Sequence, residues 1–144
     1  MRHETHDASP CEVGEESQRD LMNRETTQDS PGSRSLGPTV SVIMPAYNAV
    51  HYIRVAIESV RAQTFPNWEL IVVDDGSSDG TSRVLSEQRE ADSRVRVVSQ
   101  NNSGSPAGAR NSGLAVAIGD FVCFLDADDY FLPNRIEEAL KVFE

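Results

Sequence analysis

The chain has 144 residues, with 13 Lys and Arg against 23 Asp and Glu and a formal net charge of −10. No basic stripe exists to neutralise phosphates, which argues against non-specific nucleic-acid or anionic-membrane binding; an anionic ligand would need a metal or local cations. The length suits one domain, no apolar run approaches the roughly 20 residues that span a bilayer, and the polar, acidic start Met1–Asp7 is not a secretory signal.

Residues 1–38 are rich in Glu, Asp, Ser, Thr, Gln, Pro and Gly, with Val13, Leu21, Met22 and Leu36 as the sizeable aliphatics. Such a segment buries too little surface to offset its ordering entropy, so an acidic disordered tail is expected, with residues 31–38 as linker. His3 and His6 on it read as solvated rather than chelating. Cys11 falls in this tail and Cys123 in a strand, so there is no disulfide framework, and a reducing cytoplasm is the expected compartment.

The ordered region is expected over residues 39–144. Val40–Met44 reads as a strand stopped by Pro45. A helix is predicted over Val50–Thr64, with Ile53, Ile57, Val60 and Thr64 on one face and Pro66 closing it. Glu69–Val73 is the second strand and ends in Asp74-Asp75-Gly76-Ser77. Ser78 or Asp79 can cap the next helix, whose apolar face (Val84, Leu85, with Gln88 alongside) is thin. Val95–Val98 is the third strand. Asn101–Gly104 makes a turn, and Ser105-Pro106 starts a helix that runs to Ile118, with Gly119 as its stop.

The fourth strand is Phe121-Val122-Cys123-Phe124-Leu125, an apolar run without alternation that predicts burial on both faces. It runs straight into Asp126-Ala127-Asp128-Asp129. Pro133 starts a last helix, with Ile136, Leu140 and Phe143 on one face; Glu137, Glu138 and Glu144 read as its solvated side. Strands alternating with helices imply βαβ units and a parallel sheet with right-handed crossovers.

Parallel strands place three polar strand ends on one edge: Pro45-Ala46-Tyr47-Asn48, Asp74–Asp79 and Asp126–Asp129. In a doubly wound architecture that edge is the binding crevice. Asp126 and Asp128 are two apart, so in extended chain they point to one side. Close carboxylates repel unless a cation sits between them, and a hard cation such as Mg²⁺ or Mn²⁺ takes one or two carboxylates with water and phosphate oxygens. A solvated turn or helix start would use the same acids without a metal. Gly76 permits a tight turn. One of Asp74 and Asp75 can accept from a ligand N–H while the other caps a helix; the pair also suits a phosphoacceptor or Mg²⁺ pocket. Tyr47 can stack on a base or simply pack. Arg110, among small residues, can pair with a phosphate or with an acid. His51 reads as a helix-surface residue. No Ser-His-Asp or Cys-His arrangement, Walker loop or Gly-x-Gly-x-x-Gly is evident.

In order and spacing, Val40–Asn48, Gln63-Thr64-Phe65, Trp68–Asp79, Asn102-Ser103-Gly104, Ala109–Gly113 and Gly119–Asp129 together resemble a family 2 glycosyltransferase. The resemblance covers Val40–Glu144. It implies an α/β fold, the Rossmann-like GT-A three-layer sandwich with a mostly parallel sheet. Pro45, Ala46 and Tyr47 would line a nucleotide base, usually uracil. Asp75, ahead of Asp74, would accept from the base N–H, and Arg110 would lie near the base or the diphosphate. Asp126 and Asp128 would form the family's Asp-x-Asp, the first nearer the ribose or sugar, both at a Mn²⁺ or Mg²⁺ ion.

The reaction implied is inverting transfer from a nucleotide-diphospho-sugar, such as a UDP-sugar, to a hydroxyl of a glycan, lipid or protein acceptor in cell-wall or polysaccharide biosynthesis. Two departures stand out. Ala49 and Val50 follow Tyr47-Asn48 where the family often has an acid. The family's carboxylate base lies well downstream of Asp-x-Asp, so no catalytic base is identified before Glu144. The chain is thus expected to be the truncated sugar-donor half, inactive alone. Membrane contact, if any, would come from other segments or partners. A non-catalytic nucleotide-binding or protein-interaction module on the same fold is the alternative.

Overall fold

The computed structural model describes residues 38–144. The expectations for residues 1–37, including those for His3, His6 and Cys11, lie outside the described residues. Four strands run β1 (Val40–Ala46), β2 (Trp68–Asp74), β3 (Val95–Ser99) and β4 (Phe121–Phe124). They alternate with α1 (Ile53–Arg61), α2 (Thr81–Ala91), α3 (Pro106–Val116) and α4 (Arg135–Leu140), and a 3₁₀ turn, Lys141–Phe143, follows. The sheet is parallel in the order β3-β2-β1-β4. The chain winds outward from β1 to β3, then returns to place β4 on the other side of β1. That reversal puts a crevice at the carboxyl ends of β1 and β4.

Both faces of the sheet are covered, which is why β1 and β2 are apolar along most of their length. On one face Val42, Met44, Leu70 and Val72 pack with Ile53, Ile57, Val60, Leu85 and Ile136. On the other, Ile71 and Val73 pack with Ala109 of α3. Helix α3 lies tightly on the sheet: a Cβ at Gly113 would stand 2.5 Å from Ile43 Cγ2. Among the described residues no helix is long and apolar enough to cross a membrane.

Several boundaries differ from the expectation. β1 continues through Pro45 to Ala46. The Leu125 amide donates to the Ile43 carbonyl on the β4 side, and residue 45 faces that same side, beyond the end of β4. A missing N–H therefore costs no ladder bond there. β2 is one residue longer at each end. α1 is shorter, and Thr64 lies outside it, donating through its amide to the Pro133 carbonyl. The cap of α2 is Gly80, at φ +96°, and not Ser78 or Asp79; Asp79 accepts instead from the Thr81 and Val50 amides. α3 stops at Val116, short of Ile118. Gly119 serves close passage of the chain, since a Cβ there would meet the Ser41 amide at 2.7 Å. The last helix begins at Arg135, not Pro133, and Phe143 is largely exposed, with its ring 5.0 Å from that of Phe121.

The largest correction concerns β4. It is an edge strand paired with β1 alone, and Val122 and Phe124 are 41% and 45% exposed. An unalternating apolar run marks a strand, but it does not say how many neighbours the strand has.

Candidate functional site

The site is built at the carboxyl edge of the sheet from loops that fasten one another. After β1, Asn48 turns the chain at φ +48°, a left-handed conformation Asn tolerates better than most residues. Its amide donates to Ser77 Oγ (2.9 Å), and its Oδ1 accepts from the Ser78 amide (2.8 Å). The loops after β1 and β2 are thereby clamped. Asn48→Val, β-branched in that conformation and without the side-chain acceptor, is expected to cost about 2 kcal/mol, seen as a lower melting temperature. Asn48→Gly should lose less.

The two acids after β2 divide their work. Asp74 is buried and accepts from the Ser77 amide and from Ser82 Oγ in the first turn of α2. It braces its own loop. Asp75 is also buried and reaches across to the loop after β3. It accepts from Gln100 Nε2 (2.7 Å), the Ser103 amide (2.8 Å) and Ser103 Oγ (2.9 Å). Burial pushes its pKa up, but these hydrogen bonds prevail and hold it below its ordinary 3.8. The bonds are spread unevenly: Oδ1 takes two and Oδ2 one, which leaves Asp75 able to accept once more. The loop it holds continues through Gly104, at φ +78°, to Ser105, whose side chain accepts from the Gly108 amide and caps α3.

One turn into α3, Arg110 Nη2 donates to Asp126 Oδ1 at 2.6 Å. Asp126–Asp129 is a tight turn closed by the Asp129 amide on the Asp126 carbonyl (3.0 Å), and not extended chain. The same-side geometry expected of a strand therefore does not apply. The turn instead brings Asp126 and Asp128 to one cleft.

That cleft, of about 510 Å³, is lined by Pro45, Ala46, Tyr47, Asp75, Arg110, Asp126 and Asp128. Every candidate binding residue and both candidate metal ligands thus meet in one place. Asn48 lines it as well, at the strand end expected on this edge, together with Tyr52, Asn102 and Ser105, to which the residue pattern assigns no binding role. Tyr52 precedes α1 beside the exposed His51, at a position that sequence spacing gives to the helix surface. Tyr47 and Tyr52 are more than half exposed, presenting free ring surface to the cleft.

Oxygen is what the acidic turn offers a cation. Among the described residues no three His, Cys, Asp or Glu side chains group to hold a metal by themselves. Asp126 is shared with Arg110, whereas no side chain of the described residues donates to Asp128. One or two carboxylates, with the remaining places left to water and to ligand oxygens, is a donor set that fits Mg²⁺ or Mn²⁺ bound together with a phosphate.

The model of the family described as Glycosyl transferase family 2 matches residues 41–144. The UDP-Glc:alpha-D-GlcNAc-diphosphoundecaprenol beta-1,3-glucosyltransferase WfgD of Escherichia coli is 47% identical over 103 residues, covering 72% of this chain and 40% of WfgD. S. aureus TarS 1–349, solved in complex with UDP-GlcNAc, is 37% identical with a TM-score of 0.67, over 72% of this chain and 30% of that one. The mannosyltransferase PcManGT of Pyrobaculum calidifontis, solved with GDP-Man and Mn²⁺, is 28% identical with a TM-score of 0.64, over 87% of this chain and 37% of that one. The chain spans less than half the length of each of these proteins. Over most of its length, and with the fold those structures share, it belongs to glycosyl transferase family 2.

Proposed function

We propose that residues 39–144 form the nucleotide-sugar-binding part of a glycosyltransferase that moves a sugar, with inversion, from a nucleoside diphosphate such as UDP to an acceptor hydroxyl. The observation that carries this reading is the convergence of an aromatic wall, a hydrogen-bonded buried carboxylate, an arginine and an acidic turn in one cleft. Tyr47 offers its ring to the base, against Pro45 and Ala46. Asp75 presents its remaining acceptor site to a base N–H, and the three hydrogen bonds it already makes keep that carboxylate ionised and in place. Arg110 faces the diphosphate from α3 while holding Asp126 toward the ribose or sugar. Asp126 and Asp128 hold Mn²⁺ or Mg²⁺. When bound, such an ion supplies charge stabilisation for the departing diphosphate. The acceptor's base is supplied from outside these residues. The acceptor is a glycan, lipid or protein of cell-wall or polysaccharide biosynthesis; the diphosphoundecaprenol-linked GlcNAc in WfgD's name supports a lipid-linked sugar among these.

A phosphoacceptor role for Asp74 or Asp75 is disfavoured, because both carboxylates are buried and engaged by neighbouring donors. Calorimetric titration with UDP, with and without Mn²⁺, tests the proposal. Binding strengthened by Mn²⁺, and weakened in Tyr47→Ala by roughly the 1–3 kcal/mol of a stacked base, is the expected result. No binding of UDP under either condition would sink it.

A further inference from the structure

We propose that Gln63 is a positioning residue for the acidic turn, acting through the chain that follows it; this rests on the reading of Asp126 and Asp128 as the cation's carboxylates. Glutamine is usually a surface residue, yet Gln63 is only 7% exposed. Both ends of its amide are used. Nε2 donates to the Ser59 carbonyl of α1, the helix that Gln63 follows (3.1 Å), and to the Leu132 carbonyl (2.7 Å). Oε1 accepts from the Ile136 amide at 3.0 Å.

The Ile136 bond has a particular meaning. The first amides of a helix have no partner within it, and a residue at the cap usually supplies one. Asn134, at the cap of α4, makes no such side-chain bond. Gln63, on the far side of the fold in sequence, provides it. Two neighbours reinforce the anchor. Ser59 Oγ accepts from the Phe131 amide (3.0 Å) while donating to the Ala56 carbonyl (2.7 Å), and the Thr64 amide donates to the Pro133 carbonyl (2.8 Å). Residues 131, 132, 133 and 136 are therefore tied to the end of α1.

The acidic turn is the chain suspended between this anchor and β4. Its near end is held where the Leu125 amide donates to the Ile43 carbonyl, and its far end is the segment Gln63 grips. Between them lie Asp126, Asp128 and Asp129, like charges that push the turn open. Arg110 restrains Asp126, whereas no side chain of the described residues restrains Asp128. Its position follows from the backbone, and the backbone from the two anchors. In the sequence Gln63 is one residue of the Gln-Thr-Phe element with no evident role; the long-range bonds give it one.

The test compares the strengthening of UDP binding by Mn²⁺ in the wild type, Gln63→Leu, Gln63→Glu and a control, Val84→Ala, which damages the core under α2 away from the turn. Uridine alone reports whether the base wall is intact. Gln63→Leu and Gln63→Glu are expected to lose about 10–100-fold of the Mn²⁺-dependent affinity, as supporting partners of a metal site do. Uridine binding should stay unchanged, and Val84→Ala should keep the full Mn²⁺ effect. A Gln63 variant that keeps the Mn²⁺ effect, or loses no more of it than Val84→Ala does, overturns the inference. Should the Gln63 variants fail to fold, Ser59→Ala, which releases the Phe131 amide and otherwise loses only a bond to the Ala56 carbonyl within α1, replaces them: a several-fold loss supports the inference and an unchanged Mn²⁺ effect overturns it. A wild type in which Mn²⁺ does not strengthen UDP binding defeats the cation-site reading itself, and the inference falls with it.

Discussion

An Asp128→Ala variant is expected to bind UDP equally weakly with and without Mn²⁺, and to melt no lower than the wild type. The two expectations come from the same geometry. Asp128 is exposed at the turn, and among the described residues no side chain donates to it. Its removal costs the fold no bond and relieves repulsion from Asp126 and Asp129. What it costs is an oxygen ligand and a negative charge where a cation would sit. Supporting partners of metal sites are worth about 10–100-fold in affinity, so a direct ligand should be worth at least that much. Asp126→Ala should behave differently, because it also strips Arg110 of its partner at 2.6 Å; stability and metal-free UDP binding should then both fall. Isothermal calorimetry and thermal unfolding on the two variants separate these outcomes. Undiminished Mn²⁺ dependence in Asp128→Ala would show that the acidic turn is only a solvated turn.

Glu69→Gln should be the most destabilising conservative change in the sheet. The Glu69 side chain is 5% exposed. It accepts from Ser41 Oγ (2.6 Å), the Ile118 amide (2.9 Å) and Arg96 Nη1 (2.8 Å). Ser41 Oγ in turn accepts from the Gly119 amide at 2.9 Å. A single carboxylate thus ties β1, β2, β3 and the passage from α3 into β4. An amide in its place turns one end into a donor that must face other donors. Hydrogen bonds to a charged group contribute about 1.5–3 kcal/mol, so a loss of about 2–3 kcal/mol is expected, a fall in melting temperature of roughly 10 °C or more.

The pH dependence has a definite sign. Burial pushes the Glu69 pKa up, but the bonds from Ser41, Ile118 and Arg96 prevail and hold it below its ordinary 4.5. The stability contributed by ionised Glu69 is complete above 4.5 and is lost as pH falls through the lower value of the folded state. The deficit of Glu69→Gln should therefore be full at neutral pH and shrink on acidification. Asp75 and Asp92 are depressed as well and destabilise both proteins together in acid; the difference between the two melting curves isolates Glu69. A deficit that does not change with pH would contradict this account.

Local chemistry is enough to place the elements and to nominate the site. Hydrophobic periodicity marks four strands and four helices, because the run Leu70–Val73 or the spacing of Ile53, Ile57 and Val60 has one economical burial. Alternation of those elements implies parallel pairing, which by itself puts Tyr47, Asp75 and Asp126 on one edge. Partners distant in sequence are not legible in this way. Glu69 looks like an ordinary first residue of a strand, and Gln63 like one letter of a motif; each is defined by atoms that come near only after the chain has wound back. The same holds for β4, whose edge position depends on where the chain returns, and for Asp75, which stands beside Asp74 in the chain but takes its donors from the loop after β3. Sequence by itself determined where the strands and helices lie and which strand ends carry the polar residues, since that depends on each side chain and its near neighbours. Tertiary structure alone decided which acid reaches across to another loop, what Glu69 ties together and which strand is left at the edge, because those depend on partners brought from 25 or more residues away.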